Sequence, residues 1–208
     1  MAIVTLKELI LLDKRSSSPL GNSQSSELSA QQQQFQLLVK QKRRGLNVEP
    51  LLNEQHLIWL EQLESFIPGI FDPRKKIYLD TRWQAQLQFE LASHWLSVPI
   101  NAGVVKNKVR LYEWRIGSAD LIWSDRVKLW VACQYLQYQP EDLIMVICAF
   151  SPEHNGYIAK TCARSLDYYT IEEKLKSLLT KDRDRAFSNP TKYHDYVFNI
   201  DEIEEVEL

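Results

Sequence analysis

The sequence predicts an α/β domain, with α+β as the variant, built on a mixed central sheet of about five strands flanked by helices. Three observations lead there. Helical stripes and helix-stop signals fill the stretch before Gly69. Segments rich in β-branched and aromatic residues follow from Val109 onward. An apolar stripe at helical spacing returns after Thr170. With 208 residues the chain holds one medium domain with a sizeable core, or one domain with tails. The 6 glycines and 8 prolines exclude collagen-like and low-complexity architectures.

Residues 1–14 carry apolar side chains at mixed spacing and read as a short helix or strand. Residues 15–34 are rich in Ser and Gln and cannot offset their ordering entropy, so residues 1–34 read as an N-terminal segment and flexible linker. The glutamine run can already belong to the next helix. FQLLVKQKRR then ends in cations followed by Gly45, as a helix stops. Asn53 precedes a second helix carrying Leu57, Leu60, Leu63 and Ile67, which Pro68-Gly69 ends. Residues 83–96 fit helix and strand equally, because Trp83, Ala85, Leu87 and Phe89 alternate with polar residues while Trp83, Leu87, Leu91 and Trp95 share a helical face.

KVRLYEWRI, ADLIW and VKLWVACQYL read as an antiparallel meander, with turns at Gly117-Ser118 and Ser124-Asp125. LIMVICAF is a continuous apolar run, expected of a strand covered on both faces. Asn155-Gly156 supplies a turn before the strand YIAKTC. Thr170 and Glu173 read as a capping box opening a helix with the stripe Ile171, Leu175, Leu178 and Leu179. Residues 35–187 form the expected domain, and 188–208 an acidic tail.

The net charge of −2 supplies no bulk attraction for nucleic acid or membrane. No apolar run reaches the length of a membrane span, and no secretory signal is legible, so a cytoplasmic protein without a membrane partner is expected. Cys133, Cys148 and Cys162 match no metal or redox spacing and read as buried thiols. His56, His94, His154 and His194 lie in separate segments. No phosphate-cradling glycine loop and none of the common hydrolase or metal motifs is present.

One segment, WRIGSADLIWSDRVKLWVACQYL, places Asp120 at a strand start and Ala132-Cys133-Gln134 on the next expected strand. Positions 132 and 134 would then share a face. Metal-dependent nucleases use such a layout, with one carboxylate on the first strand and a carboxylate and lysine two apart on its neighbour. On these residues the chain resembles the PD-(D/E)XK nuclease superfamily in its RecB-like branch. That family runs helix, β-meander with Asp and (D/E)xK, helix, then a further strand and helix. FQLLVKQKRRGL resembles its first helix, with Gln36 in the histidine position. EDLIMVICAF, the next strand and the last helix resemble its C-terminal part. The resemblance implies a restriction-endonuclease-like fold, with Asp120 as the first carboxylate and metal ligand, Ala132 in the second carboxylate position and Gln134 in the lysine position. It therefore implies a degenerate site and a non-catalytic module that binds DNA or a protein, with no cofactor.

Two other readings stand beside it. Glu113, Asp120 and Asp125 could form a non-standard carboxylate set in an active Mg²⁺-dependent nuclease, or the chain could be an unrelated α/β interaction protein. Read from residues alone, an Asp after Gly117-Ser118 also accepts backbone hydrogen bonds in a turn. Lys40, Lys42, Arg43 and Arg44, with Arg74, Lys75 and Lys76, are candidate nucleic-acid contacts; their plain alternative is a helix C-terminus and a solvated loop. Most of the tryptophans fall in periodic segments and are expected in the core.

Overall fold

The structure, a computed structural model, describes residues 2–16, 25–89, 92–151, 157–162 and 165–188. Along them run β1 (Ala2–Thr5), α1 (Leu6–Ser16), α2 (Ser25–Arg43), α3 (Glu54–Phe66), β2 (Tyr78–Phe89), β3 (Ala92–Val105), β4 (Val109–Ile116), α4 (Trp123–Leu136), β5 (Leu143–Phe150), β6 (Tyr157–Cys162) and α5 (Ser165–Ser188). The strands make a six-stranded mixed sheet in the order β1-β3-β4-β5-β6, with β2 also paired to β3. β2, β3 and β4 form an antiparallel meander, while β4 and β5 run parallel across the α4 crossover. β6 returns antiparallel to β5, and β1 lies parallel to β3.

Helices cover both faces, as the apolar run of β5 requires: every residue from Met145 to Phe150 is buried. On one face Val109, Leu111, Met145 and Ile147 pack with α1, α4 and α5. On the other, Trp114, Val146, Cys148 and Phe150 pack with Phe35, Leu38 and Val39 of α2 and with Trp59, Leu60 and Leu63 of α3. Asn53 caps α3 by accepting a hydrogen bond from the His56 amide at 2.8 Å. α2 stops where Gly45 takes the left-handed conformation, φ 75°.

The register of β3 creates a fork. β3 pairs with β1 at His94–Ser97 and with β4 only at Ala102–Val105. Beyond Tyr112, β4 therefore leaves β3, and its backbone needs another partner. Gln32 of α2 supplies one. Its side-chain amide donates to the Trp114 carbonyl at 2.6 Å and accepts from the Ile116 amide at 2.8 Å, as a neighbouring strand would.

Several expectations are corrected. VKLWVACQYL is helix α4, not a strand, and ADLIW is a loop running into it. The helix is apolar nearly all round, with Val127, Leu129, Trp130, Val131, Ala132 and Cys133 buried between the sheet and its neighbours. Such a helix loses the period that identifies it, and its β-branched and aromatic content then imitates a strand. The antiparallel meander is accordingly β2–β4 rather than 109–136. Residues 83–96, open between helix and strand, are strands on either side of 90–91.

The division at residue 34 does not follow the packing: β1 joins the sheet, Leu6 and Leu9 are core, and α2 begins at Ser25. α5 begins at Ser165, so Thr170 lies inside it, though the stripe Ile171, Leu175, Leu178 and Leu179 is buried as expected. The tryptophans Trp59, Trp83, Trp114 and Trp130 are core. The Asn155-Gly156 turn, His154, His194 and the acidic tail lie outside the described residues.

Replacing Gln32 by Leu keeps its bulk but orphans a carbonyl and an amide of β4. A loss of about 1–3 kcal/mol in urea unfolding is expected. A loss below roughly 0.3 kcal/mol would show that water satisfies that edge as well as the amide does.

Candidate functional site at the junction of β4 and α4

Glu113 and Arg115 stand two apart on β4, so both side chains leave the sheet on the α4 side. Asp125 and Lys128 stand three apart on α4, so both point back at the sheet from one helical face. The result is a buried quartet of two ion pairs. Lys128 Nζ lies 2.7 Å from Glu113 Oε1, and both side chains are more than nine-tenths buried. Arg115 Nη2 donates to both oxygens of Asp125 at 2.7 Å. Asp125 Oδ2 also accepts from the Ile122 amide at 3.0 Å, which caps the first turn of α4 with a negative charge. The other arm of Arg115, Nη1, donates to the Asp120 carbonyl at 3.1 Å and ties the loop to the strand.

Burial holds the Glu113 carboxyl above its ordinary range; Lys128 and Arg115 pull the other way, and Asp125 adds to the rise. The thiols of Cys133 and Cys148 are pushed up to about 12 by burial, so neither is a nucleophile in the fold.

The residues expected to converge do not. Asp120 is exposed in the loop before α4; its carboxylate accepts from the Ser118 hydroxyl, and its amide donates to Ser118 Oγ at 2.9 Å. That is the turn chemistry of the plain reading. Ala132 is buried on α4. Gln134 is exposed near the far end of the helix, where its amide meets the Tyr168 hydroxyl, roughly 16 Å of helix beyond Trp123. Gln36 lies on α2, across the sheet from Glu113. Glu113 and Asp125 do come together, but each with a cation of its own. Among the described residues no group of three or more His, Cys, Asp or Glu is placed to hold a metal ion. The donor set does not fit Mg²⁺, because its charge is already balanced by Arg115 and Lys128.

Of the candidate nucleic-acid contacts Arg43 is committed inside the protein, Lys40, Lys42 and Arg74 have partners at the surface, and Arg44, Lys75 and Lys76 are exposed. Lys40 pairs with Asp80 at 2.7 Å, and Lys42 sits 4.4 Å over the ring of Phe71. Arg43 donates to the carbonyls of Ile70 at 2.8 Å and Lys75 at 2.9 Å, and to that of Asp72, so it staples the 69–75 loop to α2. Arg44 is exposed. Arg74 pairs with Asp72, which that guanidinium holds below the usual carboxylate range.

Arg115 and Lys128 escaped the sequence reading. The Glu113-x-Arg115 spacing was a visible signal; Lys128 was hidden because its segment read as a strand.

No family model matches the chain, and no curated protein matches it. Among solved structures it is similar to one described as SSO0001, at 13% identity and TM-score 0.45, over 87% of this chain and 76% of that one. It is also similar to a protein described as a "Putative exonuclease" from Eubacterium rectale, at 10% identity and TM-score 0.39, over 79% of this chain and 70% of that one. Both likenesses are distant. No helix among the described residues is long and apolar enough to cross a membrane.

Truncating Lys128 to Met leaves Glu113 buried without its cation, at an expected cost of about 3–5 kcal/mol. Replacing the pair together, as Glu113→Leu with Lys128→Met, should cost far less. The sign with pH follows from the raised carboxyl. Folded protein binds the Glu113 proton more tightly than unfolded chain, so its contribution is greatest below the ordinary value of 4.5 and falls as pH rises through the higher folded value. Urea midpoints against pH should show this decline, Glu113→Gln should flatten it, and Lys128→Met should carry it to higher pH.

Proposed function

We propose that this chain is a nuclease-like α/β domain whose charge site is closed by internal ion pairs, and that it acts as a non-catalytic protein-binding module. The observation that carries this reading is the buried quartet. α3, the β2–β4 meander, α4 and the parallel strand β5 follow the helix, meander, helix and strand order of the PD-(D/E)XK resemblance. On that order Glu113-x-Arg115 stands on a meander strand in the carboxylate-x-cation pattern, beside the fork where β4 leaves β3. In a working site the carboxylates would be free to bind Mg²⁺ and the strand cation free to meet a water molecule. Here Lys128 takes Glu113 and Asp125 takes Arg115. The carboxylates of an alternative active set, Glu113, Asp120 and Asp125, are each held by a different partner.

A protein partner is favoured over DNA because three of the cations at the end of α2, Lys40, Lys42 and Arg43, already meet Asp80, Phe71 and backbone carbonyls, which leaves Arg44 with Lys75 and Lys76 as a small exposed cationic set. Exposed Leu37, Leu57 and Ile58 on α2 and α3 offer apolar contact instead.

Single- and double-stranded DNA should survive incubation with the protein and Mg²⁺ or Mn²⁺, and binding at low salt should be absent or weak. Metal-dependent cleavage that disappears in Glu113→Gln would overturn the closed-site reading. Tight binding with a steep salt dependence would replace the protein partner by DNA.

A further inference from the structure

The sheet ends at β2, and among the described residues nothing pairs with the outer edge of that strand. β2 is twelve residues long and pairs with β3 from Tyr78 opposite Gly103 to Phe89 opposite Ala92, interrupted at Asp80, which takes the left-handed conformation. Its far side therefore presents a row of backbone donors and acceptors. Long open edges of this kind are ordinarily blunted by lysine, proline or a covering segment. Between Trp83 and Phe89 β2 has no charged residue and no proline. A trough along β2 is bordered by Gln84–Gln88 of β2, Trp95 of β3, Trp130 and Gln134 of α4, Gln137 just past that helix and Glu172 of α5, and holds a volume of about 700 Å³. An added strand has room there.

We propose that a second copy of this chain occupies the edge, with β2 pairing antiparallel to β2 across a two-fold axis at Gln86, so that two six-stranded sheets become one. The sequence is self-complementary about that residue. On the outer face Gln84 stands opposite Gln88 of the other copy and Gln86 opposite Gln86, and each amide both donates and accepts. On the inner face Ala85 stands opposite Leu87 of the other copy. Isologous pairing requires this matching of a surface with itself. The inference does not rest on the nuclease-like reading.

Gln86 is exposed and bonds only lightly within the chain, through its amide to Ser93 Oγ at 2.6 Å, so it can be changed without disturbing the core. Sedimentation velocity of the full chain over a range of concentrations should show a dimer. Gln86→Lys and Gln86→Glu place like charges against each other at the axis, and each alone should shift the protein to monomer. Mixed in equal amounts they should recover the dimer, because lysine then faces glutamate. Unchanged melting curves confirm that the variants fold. A wild-type protein that stays monomeric would overturn the proposal, as would a dimer indifferent to both substitutions. A monomer whose outward-pointing β2 amides, those not bonded to β3, resist hydrogen exchange would also overturn it and identify the chain's own segment as the cover.

Discussion

The pairing of Glu113 with Lys128 and of Arg115 with Asp125 decides how α4 sits on the sheet. α4 is apolar on almost every side, so hydrophobic burial alone specifies its place loosely. The two ion pairs add direction. They demand one rotation of the helix, one height along β4 and one course for the loop from Gly117 to Ile122. Arg115 joins that loop to the strand, and Asp125 caps the helix it anchors. Buried ion pairs contribute little net stability, since desolvation offsets their attraction. Their effect is specificity of arrangement, and a cation removed from either pair leaves a charge that the interior cannot solvate.

The same quartet governs the chemistry. A carboxylate that binds metal must have free lone pairs and an excess of negative charge around it. Here two carboxylates meet two cations, and the cluster is neutral. The fork between β3 and β4 gives the site its place. Gln32 keeps the fork from being a defect by satisfying the backbone that β3 abandons. A helix on one face of the sheet thus completes hydrogen bonding at the edge of a strand whose Glu113 and Arg115 side chains serve the other face.

Much of the fold was legible where local signals act alone. The Asn53 cap, the Pro68-Gly69 stop, the Gly45 termination and the doubly covered strand 143–150 follow from short-range geometry and from burial pattern. The site was legible only in part. Glu113 and Asp125 could be named as carboxylates, and the E-x-R spacing was present. Lys128 could not be assigned, because the segment around it has the β-branched and aromatic content of a strand. The cap formed by Asp125 on the Ile122 amide marks the helix, but Ser124-Asp125 also fits a turn.

By itself, then, the sequence determined the class of the fold, the ends of α2 and α3 set by Gly45, Asn53 and Pro68-Gly69, and much of the composition of the core. These depend on interactions within a few residues, or on how much apolar surface must leave water. The tertiary structure alone decided that 123–136 is a helix, that 2–16 belongs to the sheet and core, and which charges meet. Those outcomes depend on neighbours far away in the chain: a helix buried on all sides takes its conformation from what surrounds it, and a charge takes its partner from whichever element packs against it.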